Sequence, residues 1–232
     1  MRHLFGRVLL YRIEDYAHAV VVKRRYESAH RQEQARQTRR AILDAARTLF
    51  VNPGYAATPL TAIAAEAGVA IQTLYKIFGS KKALLSALID VTVAGDDEPV
   101  PLADRQFVTD IRALTDPRAK LARYATHLAG THARQARVML ALAGAATADP
   151  DAAAIWRKNL DERRQGMTMF AADLAATGQL RPDHTVETAA DVLWLAMDVR
   201  NYDLLVRERG WPPERFQRWY VDTVTAAILT PQ

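Results

Sequence analysis

Between Thr58 and Leu85 the chain packs two helix starts and two glycine stops so close together that only short, tightly folded helices satisfy them. Thr58 precedes Pro59, and a hydroxyl N-cap followed by proline at the first helical position starts a helix, because proline lacks the N–H that would be orphaned there. The spacing therefore predicts a helix from about Pro59, with Leu60, Ile63, Ala64 and Ala67 in one stripe of a 3.6-residue period and Gly68 ending it. After a turn at Gly68 to Ala70, a second short helix over roughly Ile71 to Ile77 buries Leu74 and Phe78. It leaves Ile71, Gln72, Thr73, Tyr75 and Lys76 on its outer face. Gly79 closes it, Ser80 caps the next helix, and Lys81 and Lys82 lead the apolar set Leu84, Leu85, Leu88 and Ile89. Two cations in a first helical turn oppose the helix dipole, which suggests an anion such as a phosphate opposite them.

Upstream, Ile42, Ala45, Ala46, Leu49 and Phe50 form an i, i+3, i+4, i+7, i+8 stripe, so residues of about 36 to 51 read as an amphipathic helix, broken by Asn52-Pro53-Gly54. The three helices together make a helix-turn-helix unit whose third helix suits the DNA major groove.

The run from Arg39 to Leu88 resembles the DNA-binding domain of tetracycline-repressor-type (TetR family) transcriptional regulators. The resemblance rests on Ile42-Leu43-Asp44-Ala45-Ala46, Leu49-Phe50, Gly54-Tyr55, Thr58, Ile63-Ala64 and Ala67-Gly68-Val69, completed by Thr73-Leu74-Tyr75, Phe78 and Lys81 through Leu85. It implies that Thr58, Tyr75 and Lys81 hold phosphates, which positions the protein on DNA. It implies further that Gln72 and Thr73 reach base edges, where glutamine pairs with adenine and threonine meets thymine, with Lys76 able to serve either role. Ala70 stands where a small polar residue often opens the recognition helix, and Ile71 and Gln72 are individual to this chain, so the operator sequence stays open.

Charge divides the same way. Residues 1–90 hold 14 Lys and Arg against 7 Asp and Glu, whereas the remainder holds 17 against 19. Basic character gathered at one end is the footprint of a polyanion, and a membrane surface would not explain the helix-turn-helix spacing. No stretch approaches 18 uninterrupted apolar residues, so no membrane span is expected. The chain has no cysteine, which excludes disulfides, cysteine metal sites and a thiol nucleophile and suits a cytoplasmic location.

Three parts are expected: an extension over residues 1–34, the helix-turn-helix domain over 35–90, and a helical effector-binding and dimerisation domain over 91–232. In the first part, Leu4 to Ile13 and Ala17 to Val22 are apolar, but Arg7, Arg12, Glu14 and Asp15 interrupt them too often for a signal-peptide core. No methionine lies between Met1 and Met139, so a shorter natural product would need an unusual start codon. Arg31, Arg36, Arg39 and Arg40 read either as an arm along the DNA or as a solvated basic tail. An acidic, proline-broken linker, Asp96 to Pro101, precedes the third part.

Beyond it, proline-punctuated segments predict helices near 103–114, 117–130, 132–147, 151–177, 184–208 and 213–229, and hence an all-α protein. The resemblance implies a ligand pocket there, and Met139, Leu142, Trp156, Met167, Met169 and Phe170 suit an apolar or planar ligand, although such residues also serve as plain core. It implies a homodimer through the last two helices, with Leu193, Ala196, Val221, Val224 and Ile228 among the interface residues. Two recognition helices one DNA turn apart would then read a pseudo-palindrome. Asp191 and Asp198 flank Trp194 on an apolar helix, which favours an ion pair with Arg200 or Arg207 over a cationic ligand.

His127 and His132 are five apart, on different helix faces, and do not make a helical zinc site. No phosphate loop, nucleophile elbow or carboxylate pair stands out, so neither a cofactor nor catalysis is expected. The function expected is a ligand-responsive, sequence-specific repressor released from its operator by a small molecule. A ligand-independent architectural DNA-binding protein and an activator remain open on sequence.

Overall fold

The computed structural model describes residues 30–95 and 104–231. Most of the expected N-terminal extension and the Asp96 to Pro101 linker lie outside them. Helix α1 occupies residues 30–49 and carries Arg31, Arg36, Arg39 and Arg40 within its length. It runs into a π-helical turn, Phe50–Gly54, that contains Pro53. Ile42, Ala46 and Phe50 are buried, and Phe50 meets Tyr55 edge-on at 5.1 Å. Helices α2 (Leu60–Glu66), α3 (Ile71–Phe78) and α4 (Lys81–Ala94) follow. Gly68 and Gly79 adopt φ of 66° and 75°, a left-handed region that side chains disfavour, and so they turn the chain where a helix must end. Ser80 caps α4 by accepting from the Ala83 N–H at 3.1 Å.

One start signal works differently from its reading. Thr58 does not cap α2: the cap position is Pro59, which makes no side-chain cap bond. The Thr58 hydroxyl lies within hydrogen-bond distance of the carbonyls of Gly54 (2.8 Å) and Leu49 (3.0 Å), which fastens α2 to the end of α1.

The second part comprises α5 (Gln106–Ala113), α6 (Pro117–Ala145), α7 (Pro150–Ala175), α8 (Val186–Ala196), α9 (Val199–Tyr202) with a π-helical continuation Asp203–Glu208, and α10 (Pro213–Ile228). Asp116 and Asp149 cap α6 and α7 ahead of proline, as that pairing favours. The helices expected at 117–130 and 132–147 are one. Gly130 costs a helix only about 1 kcal/mol relative to alanine, and the buried stripe of Leu128, Ala129, His132, Gln135, Ala136 and Met139 runs through it. Conversely, the helix expected over 184–208 is broken at Met197–Asp198, because the Asp198 carboxylate accepts from the Arg200 N–H at 2.9 Å and starts α9 afresh.

Helix α8 packs along α7 and α10 along α6, while α4 touches both α6 and α7. A lone bridge between Leu180 and Leu229 ties the ends of α7 and α10 together. The protein is all-α among the described residues. None of their helices is long and apolar enough to cross a membrane.

Candidate DNA-reading face and ligand cavity

Helix α3 is held from behind. Leu74 is fully buried, Phe78 nearly so, and the Arg39 guanidinium sits 4.9 Å from the Phe78 ring centre. Opposite these anchors Gln72, Tyr75 and Lys76 are exposed, and Ile71 and Thr73 are half-buried. The expected reading face is thus gathered on one side of a short helix. The Lys81 ammonium lies 4.2 Å from the Tyr55 ring centre at the foot of this face. Burial lowers its pKa, and the nearby Asp149 carboxylate opposes that shift. Burial, reinforced by Asp149 and Asp151, pushes the Tyr55 hydroxyl up to about 12.

Two readings of this region need correction. Thr58 is only 2% exposed, its hydroxyl sits on two carbonyls, and its own N–H donates to the Tyr55 carbonyl at 3.2 Å. It braces the corner and offers no free donor for a phosphate. Of the two α4 cations, Lys82 has a protein anion opposite it, the Asp151 carboxylate at 2.8 Å from the start of α7.

The second site is a cavity of about 510 Å³ between α5, α6, α7 and the α8–α9 joint, bordered also by Val93 near the end of α4. Its size falls in the usual range for small-molecule sites. Met139, Met167, Met169 and Phe170 line it as expected. Leu142 and Trp156 do not, since Leu142 is enclosed in the core and Trp156 packs half-buried against it. Sequence reasoning missed Phe107, Tyr124, Gln135 and Asn159. A signal existed for one of them: Gln135 falls on the helical stripe of Tyr124, Leu128, His132 and Met139 on α6, whose steps are three or four residues, and a polar residue on a buried stripe must meet a partner.

His127 and His132, expected on different faces, both border the cavity, because His132 lies on this stripe and His127 flanks it. Phe107 stacks on His127 with ring centres 3.6 Å apart. Burial, helped by Arg134, Arg123 and Arg105, brings His127 down to about 4. Burial also brings His132 down to about 4 against the opposing hydrogen bond to the Met197 carbonyl. Among the described residues, no three His, Asp or Glu side chains converge as a metal would require.

The Asp198 carboxylate pairs with Arg200 at 2.8 Å and Arg163 at 3.3 Å, within the subunit. Burial would raise its pKa, but these arginines hold it down at about 2. Arg207 pairs with Asp203 instead, and Asp191 is exposed. Leu193, Val224 and Ile228 are fully buried inside the subunit and Ala196 almost so, because α8 and α10 turn these faces onto α7 and α6. They cannot meet a partner subunit. Of the expected interface residues only Val221 remains half-exposed, while Leu195, on the opposite side of α8, is 61% exposed.

The chain thus joins a helix-turn-helix segment to a cavity-bearing helical domain. Residues 42–88 match the family model of bacterial regulatory proteins of the tetR family. A transcriptional regulator from Saccharomonospora viridis in complex with choline shares the fold at a TM-score of 0.62 and 22% identity, over 83% of this chain and 98% of that one. A tetR-family regulator from Shewanella sp. PV-4 aligns at 0.58 and 19%, over 84% and 99%. The SmeT–triclosan complex aligns at 0.63 and 20%, over 83% and 92%. No curated protein matches the sequence. Residues 42–88 therefore carry a tetR-type DNA-binding segment, and the chain as a whole shares the fold of these solved regulators.

Proposed function

We propose that the protein is a ligand-responsive repressor that binds a pseudo-palindromic operator as a homodimer and leaves it when a small molecule occupies the cavity. The observation that carries this reading is the placement of α4. Lys81 at its start adjoins the recognition helix, and Val93 near its other end forms part of the cavity wall, about 18 Å away at 1.5 Å per residue. A ligand that favours one tilt of α4 would move the two recognition helices out of register, by no more than its differential affinity for the two states.

In this account residues 35–90 read DNA and residues 91–232 bind the effector and dimerise. Gln72 and Thr73 meet base edges, Ile71 offers an apolar contact, and Tyr75, Lys76 and Lys81 meet the backbone. The homodimer forms through the outward sides of α8 and α10, with Leu195 and Val221 in place of the buried residues. The liganded relatives support a cavity that accepts small molecules in this fold.

The test is operator binding with and without ligand for the native protein and for Val93→Trp, which narrows the cavity at α4 without touching the reading face. Ligand should release the native protein and not the variant, with operator affinity otherwise unchanged. Ligand binding that leaves operator affinity untouched in the native protein contradicts the mechanism.

A further inference from the structure

The polar groups in the cavity wall form a chain whose last acceptor is free. The Met197 carbonyl can only accept, so the His132 Nε2 that lies 2.8 Å from it must carry the ring proton. The neutral ring then presents Nδ1 as an acceptor, and the Gln135 amide nitrogen donates to it at 3.1 Å. This fixes the orientation of the Gln135 carboxamide, since reversing it would set two acceptors against each other. Gln135 Oε1 is left buried with no hydrogen-bond partner, in a residue only 8% exposed. Asn159, on the facing wall and 6% exposed, also has an unpartnered Oδ1. A buried acceptor left unmet carries the full desolvation penalty of its group, so a ligand gains by bringing a donor to it.

The carboxylates of the wall and Arg163 are already matched, while Arg112, also in the lining, is exposed to solvent. Asp173 holds Lys120 at 2.7 Å, and Lys120 also donates to the Ile111 and Arg112 carbonyls. Asp198 holds Arg163, and Glu162 pairs with Lys158. Methionines 139, 167, 169 and 197 and the rings of Phe107, Tyr124 and Phe170 supply the remaining surface, adaptable and apolar.

We propose that the cavity selects an uncharged, largely aromatic molecule bearing one hydroxyl or N–H donor, which Gln135 Oε1 accepts. This rests on the effector reading of the same cavity. It separates the two ligands seen in relatives: the phenol of triclosan fits these groups, and the fixed charge of choline does not. Because His132 links Gln135 to Met197 at the α8–α9 joint, the donor also pulls on the point where α8 ends.

The test uses the full-length, DNA-free protein and isothermal titration with two matched pairs, 4-phenylphenol against 4-methoxybiphenyl and triclosan against its methyl ether. Choline and biphenyl-4-carboxylate complete the set. At least one phenol should bind about tenfold more tightly than its ether, as a single hydrogen bond predicts, and the two charged probes should bind more weakly than either. Gln135→Met should abolish the phenol preference while ether binding persists. Equal affinity of phenol and ether in the native protein, tighter binding of a charged probe, or no binding by either pair overturns the proposal. Phenol selectivity without release of operator DNA leaves this ligand class standing and removes the repressor mechanism instead.

Discussion

In α3 the side chains proposed to read DNA face away from the protein and are placed by the buried Leu74 and Phe78, whereas in the cavity the polar groups come from α6, α7 and the α8–α9 joint and hold one another. The first arrangement depends on a local pattern, Leu74 and Phe78 inward and Gln72, Tyr75 and Lys76 outward. The second depends on helices distant in sequence meeting, as when Arg163 of α7 reaches Asp198 between α8 and α9. Damage to the second should therefore spread through its domain, while damage to the first should remain a matter of DNA chemistry.

The largest effect is expected from Asp198→Ala. It leaves Arg163, whose side chain is 13% exposed, without its carboxylate, and it removes the side chain that starts α9. Breaking one side of a buried pair costs about 3 kcal/mol or more, to be read from the denaturant midpoint, and base preference on DNA should not change. A loss under about 1 kcal/mol would show that Arg200, which reaches the same carboxylate from a more exposed position, carries the pair for stability.

Acid should weaken the same region before it weakens the reading face. His132 and His127 are held at about 4 in the fold against 6.5 in the unfolded chain, so between those values the unfolded state binds more protons. Stability is then complete above about pH 6.5 and declines as pH falls towards 4. Asp198 stays ionised in the fold down to about 2, so its own contribution begins to be lost only as pH nears 3.8, at the acid end of this window. The almost fully buried His132 accounts for about 3 kcal/mol at 1.36 per pH unit. Unfolding curves between pH 7 and 4.5 measure it, and the slope should flatten in His132→Gln.

On the reading face the effects are smaller and divide by role. Lys81→Ala should weaken binding to every sequence and reduce the salt slope by about one. Thr73→Ala should alter the preferred base at one position, by about 1–3 kcal/mol of discrimination. Uniform loss across sequences for both variants would dissolve the distinction between phosphate and base contacts. The smallest effect belongs to Lys82–Asp151, whose side chains are half exposed. Asp151→Ala should change stability by less than about 1 kcal/mol and, by freeing Lys82, tighten DNA binding.

These two regions were not equally legible. The α2–α4 segment could be read because each of its boundaries is marked in place by Pro59, Gly68, Gly79 and Ser80, and its stripes need no knowledge of what they pack on. Thr58 misled because a hydroxyl before proline looks the same whether it caps forwards or bonds backwards to Gly54. Apolar faces on α8 and α10 were visible, but periodicity does not say whether Leu193 or Val224 meets its own subunit or another. Packing on α7 and α6 decides that. The break at Asp198 is a local cap on the Arg200 N–H, and it went unread because the apolar run continues on either side of it. Leu142 could not be told from Met139: both are apolar on α6, and only the positions of neighbouring helices leave a space beside one of them.

The most direct test is selection of genomic fragments by the purified full-length protein, followed by salt-dependent binding to the recovered DNA. The account predicts a short inverted repeat, bound by a dimer and released by a phenol-bearing ligand. Recovery of no preferred sequence would contradict it, and the helix-turn-helix would then serve an architectural role.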